Sequence, residues 1–387
     1  MHRLKIALVL DRFGSRFGGA EAYGVALARE LAQDHDITVF AREYDPACDV
    51  QLPFVPVRLW SRWPGWIRVS LFAWRARQLT RHGFDIVHSH MNGWCGDVEV
   101  VHVTPVRYNW RVRPLPFLKR ALSWVSPRVH TYLSLERHRV AERPAHRTVA
   151  VSDLIAEQLR EAYGHCLTCP VIAPGVQRPK PVAAGLRAQV RTESGWCDQD
   201  WVCLLVARNP LRKGLPTILT ALNSLPPRYK LLVVGGRLLA QDFLHKANDS
   251  ALSDRVRLIE TTSEVGRYYT AADCYVHPTL NDSFGMAPLE AMSFGLPVIL
   301  SPAPYCGFAQ YVKPGQEALV LSHPEDAAQL ACFIEQIADD RAVRETLVQG
   351  GCRVVDRHSW VEVAQRYLEL YRQVLAERTE AKFKSSP

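Results

Sequence analysis

Short apolar runs rich in β-branched residues alternate along this chain with longer stretches of helical period. In the first half, Lys5–Leu10, Asp36–Phe40, Asp85–His88, Glu99–Val103, Thr148–Val151 and Pro170–Ala173 read as buried strands, with helices predicted over Ala20–Leu31 and Asp153–Tyr163. A second series follows at Val202–Ala207, Lys230–Val234, Val256–Ile259, Cys274–His277, Pro297–Leu300 and Ala318–Leu321. Strands that are apolar throughout and separated by helices are the signature of parallel sheets covered on both faces. Two such series predict an α/β chain of two doubly wound, Rossmann-like domains, residues 1–176 and 186–359. Pro174, Pro179 and Pro181 crowd the segment between them and mark it as a connector. Trp360–Arg378 has one apolar stripe (Val363, Tyr367, Leu370, Tyr371, Val374, Leu375), so a helix over 360–380 is expected to pack back toward the N-terminal domain. Lys382–Pro387 is expected to fray.

Composition narrows the class. An apolar share of 48% and a charged share of 22% are those of a globular protein, and 387 residues suit two cores better than one. No apolar run is long enough to span a bilayer, and Lys5–Leu10 is too short for a signal sequence, so a cytoplasmic chain is expected. The ten cysteines follow no disulfide framework. Cys166 and Cys169 have no second pair at zinc spacing, and Cys203 and Cys274 sit inside strands as expected core thiols.

The charge is uneven. Of the net +8, +7 falls in residues 1–175, and no acidic residue occurs over 54–84 or 100–135. The first window mixes Arg58, Arg62, Arg68, Arg75, Arg77 and Arg81 with Trp60, Trp63, Trp66 and Trp74. The second mixes Arg107, Arg111, Arg113, Lys119, Arg120 and Arg128 with Trp110 and Trp124. Cations interleaved with Trp suit an anionic membrane surface or anionic acceptor. A solvated basic face with partly buried Trp is the plainer alternative. Single-stranded nucleic acid fits the same mixture, but no nucleic acid is expected as a partner.

Open parallel sheets bind ligands at the carboxyl ends of their strands, so the loops after strands are where chemistry is sought. The run from His277 to Met292 follows a strand and opens a helix, with Pro288 in the first turn. Gly285 would let backbone approach a ligand, and the N–H groups of Phe284, Gly285 and Met286 would form an anion site at the helix start. Asp282 and Glu290 are carboxylates that can accept sugar hydroxyls; an ordinary capped helix start is the alternative. Arg208 and Lys213, in the loop after Val202–Ala207, could converge on a diphosphate. Gly18 and Gly19 follow the first strand without the spacing of a dinucleotide or Walker loop. Asp34-His35-Asp36 reads as a turn. His88, His90 and His102 near strand ends are expected to be structural or to touch substrate rather than to bind a metal.

Taken in order, these pieces resemble the retaining glycosyltransferases of GT-B fold in family four. The resemblance runs through Gly18-Gly19-Ala20-Glu21, Asp85 to His90, Val100 to Thr104, Val149 to Ser152, Pro174-Gly175-Val176, Arg208 to Gly214, Phe284 to Met292 and Gly295 to Val298. It implies two domains facing across a cleft, with a nucleotide-diphosphate sugar held mainly by the second. Glu290 would bind the ribose, and Arg208 and Lys213 the diphosphate. Asp282 with the backbone of Phe284, Gly285 and Met286 would address the transferred sugar. His102 would lie near the reacting centre, and Gly18 and Gly19 would face the diphosphate and acceptor. No metal or other cofactor is implied, and UDP-glucose is the donor it favours. The family carries Glu where this chain has Asp282, one methylene shorter. Leu135-Glu136-Arg137 ahead of Arg147–Ser152 resembles lipopolysaccharide-core glucosyltransferases, which implies a glycan or lipid-linked acceptor at the inner face of the cytoplasmic membrane. A sugar-nucleotide epimerase or phosphorylase of the same architecture, or a non-catalytic sugar- or lipid-binding scaffold, are the competing readings.

Overall fold

The computed structural model describes residues 3–59, 62–179, 181–247, 252 and 254–385, and Trp60 of the basic stretch lies outside them. The chain forms two compact units, Met1–Pro174 with Trp360–Pro387, and Gly175–Ser359.

The first unit is built on six parallel strands: β1 (Lys5–Val9), β2 (Asp36–Ala41), β3 (Phe54–Pro56), β4 (Ile86–Ser89), β5 (Val98–Val101) and β6 (Arg147–Ala150). Their order in the sheet is β3-β2-β1-β4-β5-β6. The second unit repeats the plan with β7 (Trp201–Val206), β8 (Tyr229–Val234), β9 (Val256–Ile259), β10 (Cys274–His277), β11 (Val298–Leu300) and β12 (Leu319–Val320), ordered β9-β8-β7-β10-β11-β12. In each sheet the order reverses beside the first strand, between β1 and β4 and between β7 and β10. Such a switch point leaves a crevice at the strand ends, because successive crossovers depart to opposite faces.

The central strands are apolar throughout because helices cover both faces. Ile6, Ala7, Leu8 and Val9 are all buried, as are Val202, Cys203, Leu204 and Leu205. Cys203 and Cys274 are paired across β7 and β10 as reduced core thiols, Sγ to Sγ 3.6 Å.

One strand expectation is corrected and one strand is new. Pro170–Ala173 is not a strand: it meets β6 only through a bridge at Val171, since Pro170 has no N–H to extend a ladder. Phe54–Pro56, which alternation did not reveal, is the edge strand, a position that tolerates Pro56. Asp34 lies in a turn and Asp36 opens β2.

The C-terminal helix belongs to the first unit and runs to Ser385, past the expected fraying point at 382; Ser386 and Pro387 lie outside the described residues. Its stripe packs on the Gly19–Leu31 helix. The Tyr23 and Tyr367 hydroxyls are 2.8 Å apart, and the Tyr23 ring meets Trp360 edge to face.

A buried ion pair ties the second unit together. Arg191 is almost wholly inaccessible, and its Nη2 donates to Asp273 Oδ2 at 2.6 Å. The same oxygen accepts the N–H of Val202 at 2.7 Å, so one carboxylate fastens the starts of β7 and β10 to the Leu186–Glu193 helix. Arg187 also pairs with Asp273, through Oδ1, so loss of Arg191 leaves the carboxylate a cation but takes the buried donor from the carbonyls of Ala271 and Asp200. Arg191→Met is expected to cost about 1–3 kcal/mol, seen as a lowered urea midpoint for the second unit; an unmoved midpoint would show that the pair holds nothing.

Candidate active site

In the second unit the strand-end loops after β7 and β10 meet on one carboxylate. Asp282 Oδ2 accepts from Lys213 Nζ at 2.5 Å and from His277 Nε2 at 2.9 Å. Lys213 Nζ also donates to the carbonyl of Asn281 at 3.2 Å. An ammonium has three donors, so one remains for a further acceptor. The approach of the loops requires Gly214: its φ is +91°, and a Cβ there would collide with the carbonyl of Pro278.

Burial by itself would raise the Asp282 pKa, but Lys213 and His277 together hold the carboxyl well below the usual carboxylate range. Burial lowers the pKa of His277, so the ring is neutral at physiological pH and donates its Nε2 proton to Asp282. The short Asp282 side chain is thus met directly by a histidine at the strand end.

The helix expected after Gly285 spans Met286–Ser293, with Pro288 buried in its first turn. Among the described residues, the N–H groups of Phe284, Gly285 and Met286 have no backbone acceptor. Gly285 itself is required for another reason than ligand approach. It holds φ +112°, and its missing Cβ leaves room for Phe308 Cβ and Cys306 Sγ, which would lie 3.2 and 3.3 Å away. Glu290 is half-buried; its Oε2 accepts from the Tyr269 hydroxyl at 3.0 Å, and burial raises its pKa against that bond. Arg208 is exposed at the carboxyl end of β7. The backbone there is crowded by Gly235 and Gly236, where a Cβ would strike the carbonyls of Ala207 and Arg208.

In the first unit, Gly18 caps the Gly19–Leu31 helix, and the space beside Gly19 is open. His102 follows β5, half-buried, with its Nε2 2.6 Å from His90 Nδ1. Among the described residues no cluster of His, Cys, Asp or Glu is arranged to hold a metal ion; the three histidines contact one another in series.

The second unit thus brings Lys213 and Asp282 together, with Glu290 on the helix that follows. Reading residues alone missed Tyr269, His277, Gly235 and Gly236. The glycine pair after an apolar strand and the histidine at a strand end are legible signals. Tyr269 carries none, because it reaches Glu290 from a separate helix.

Two switch-point sheets, the second with cations, carboxylates and free amides at its strand ends, are the architecture of the GT-B class. Residues 187–353 match the family Glycosyl transferases group 1 and residues 17–178 match Glycosyltransferase Family 4, together most of the chain. The chain belongs to these glycosyltransferases and is a hexosyltransferase. Among curated relatives, the lipopolysaccharide glucosyltransferase WaaG of Escherichia coli (strain K12) is 24% identical over 367 residues, covering 91% of each chain. Among solved structures, that of WaaG superposes with a TM-score of 0.80 at 20% identity over 95% of this chain and 99% of that one. Anabaena HepE in complex with UDP-glucose superposes with a TM-score of 0.71 at 17% identity over 98% of this chain and 100% of that one. The likeness to these structures shows the fold.

The charge balance at Asp282 has a pH signature. The unfolded carboxyl titrates near 3.9, while the folded one stays ionised to lower pH. The folded state therefore binds fewer protons in that interval, and this contribution, fully present above the unfolded value, is lost as pH falls toward the folded value. Asp282→Asn lacks it. The stability gap between wild type and variant is expected to be flat above about pH 6 and to narrow below about pH 4 in urea melts; a gap that widens on acidification would reverse the assignment.

Proposed function

We propose that this chain is a retaining, metal-independent transferase that moves a hexose, with UDP-glucose the favoured donor, to a glycan or lipid-linked acceptor in cell-surface polysaccharide or lipopolysaccharide assembly. The observation that carries the reading is Lys213, held by Asp282 and Asn281 with one N–H to spare beside a helix start rich in free amides. Arg208 and Lys213 bind the diphosphate, Glu290 the ribose, and Asp282 with the backbone of Phe284, Gly285 and Met286 the hexose. Gly18 and Gly19 leave room for phosphate and acceptor, and His102 contacts a reacting ligand. UDP-glucose is supported by its presence in the HepE complex, and the acceptor class by the lipopolysaccharide substrate named for WaaG.

The bond from the anomeric carbon to the β-phosphate oxygen breaks, and its electron pair stays on the diphosphate. Fixed cations and amide dipoles meet that charge without reorganising, which is where most of the rate arises. The acceptor hydroxyl forms the new bond on the same face, and its proton passes to the departing phosphate oxygen. Configuration is thereby retained.

The same proposal places the enzyme peripherally on an anionic cytoplasmic membrane face, through 54–84 and 100–135. No helix among the described residues is long and apolar enough to cross a membrane. The Phe117–Val125 helix exposes Phe117, Leu118, Leu122, Trp124 and Val125. Next to it, Asn109, Trp110, Arg113 and Lys119 line a cavity of about 440 Å³. Apolar side chains that can enter the acyl boundary beside cations that can meet phosphate are what an interfacial anchor requires.

Lys213→Ala and Glu290→Ala are each expected to lower transfer on the order of a hundredfold, as for loss of one preorganised donor. The readout is UDP release from a panel of sugar nucleotides with and without acceptor; release equal in both would favour an epimerase, and none with any donor a scaffold. Full activity of Lys213→Ala would remove the diphosphate role, and strong inhibition by chelator would bring a metal into the reaction. Phe117→Ser with Trp124→Ser is expected to weaken sedimentation with phosphatidylglycerol vesicles; unaltered binding would return this face to solvent.

A further inference from the structure

His102 ends a column of three imidazoles beneath the carboxyl ends of β4 and β5. His88 and His90 lie face to face, ring centres 4.7 Å apart and planes 13° from parallel, and His90 and His102 meet edge to edge in nearly one plane, ring centres 4.9 Å apart and planes 23° from parallel. At the inner end His88 Nδ1 is 2.5 Å from the Tyr371 hydroxyl of the C-terminal helix. At the outer end His90 Nδ1 is 2.6 Å from His102 Nε2. Nε2 of His88 and Nε2 of His90 are buried without a protein partner, whereas neither nitrogen of His102 is in that position. Burial pushes all three rings below the ordinary histidine range, His88 and His102 to about 3, so each is neutral at physiological pH.

A neutral imidazole carries one proton, and the contact between His90 and His102 needs that proton on one of the two facing nitrogens. Were His102 the donor, His90 would carry its own proton on Nε2. That would bury an N–H with no acceptor, in the field of the buried Arg139 guanidinium, whose charge acts on both His90 and His102. Were His90 the donor, its Nε2 would hold a lone pair instead, which the same positive charge favours. Orphaned buried N–H groups are also rarer than under-satisfied acceptors.

We propose that His90 is a positioning residue that donates Nδ1–H to His102 Nε2 and thereby fixes His102 as the Nδ1–H tautomer. His102 then meets its ligand as a hydrogen-bond donor to a hydroxyl or phosphate oxygen, not as a base. The functional half of this inference rests on the reading of His102 as a ligand contact. It agrees with a reaction in which the acceptor proton leaves with the phosphate, since no histidine is then needed to remove it.

The test begins with the full-length wild-type chain labelled with [15N]histidine. A long-range 1H–15N correlation is expected to show His102 protonated on Nδ1; a proton on Nε2 would overturn the proposal. Two variants then separate position from packing. Asn at position 90 can still donate toward His102, whereas Asp can only accept and forces the opposite tautomer. His90→Asn is expected to keep transfer within a few-fold. His90→Asp is expected to lose on the order of ten- to a hundredfold in kcat/KM, as for other groups that orient a functional histidine, with the His102 signal moved to Nε2–H. Equal activity in the two variants would overturn the positioning role. Full transfer by His102→Ala would overturn the ligand role while leaving the measured tautomer standing.

Discussion

Asp282 is a carboxylate withdrawn from water whose charge is met by one ammonium and one imidazole proton, and the geometry of the second unit's site depends on that balance. Lys213 comes from the loop after β7 and His277 from the end of β10, the two strands that flank the switch point. Because a partly buried ion costs several kcal/mol unless it is paired, the two loops are held in mutual register. Gly214 permits the contact by yielding space to Pro278. The pair also fixes where the spare donor of Lys213 can point.

The first unit meets a comparable problem with neutral rings beside the buried Arg139 guanidinium. Its three histidines and three tyrosines fill the space between β4, β5, the Gly19–Leu31 helix and the C-terminal helix. Desolvation keeps the rings neutral, so their arrangement is a matter of proton placement. The C-terminal helix takes part through Tyr367 and Tyr371, which gives the last segment of the chain a share in organising residues from the first hundred. A buried polar column of this kind specifies its arrangement more sharply than an apolar one, because a misplaced proton leaves an unpaired group.

Much of the site was readable because strand-to-helix loops advertise themselves. Lys213, Gly214, Asp282, Gly285 and Glu290 all fall just beyond an apolar run, where backbone rules already make such residues informative. His277 stood at the head of the same motif, but its bond to Asp282 depends on how the loop folds back. Tyr269 gave no sign at all, since its hydroxyl meets Glu290 across a helix contact that spacing does not encode. The exposed apolar face of Phe117–Val125 was foreshadowed by the mixture of Trp and Arg. Which of those side chains face outward became clear only from the helix.

The amino-acid sequence by itself determined the alternation of strands and helices, the two doubly wound units and the position of the strand-end loops. These follow from local periodicity and from glycine and proline, whose effects act within a few residues. Tertiary structure alone decided the strand order, the edge position of Phe54–Pro56, the failure of Pro170–Ala173 to join the sheet, and the partners of Asp282, Glu290 and His102. Those outcomes depend on which distant segments share one desolvated space. Pairing energies there are set by burial and by competing partners, and neither is written in any short stretch of chain.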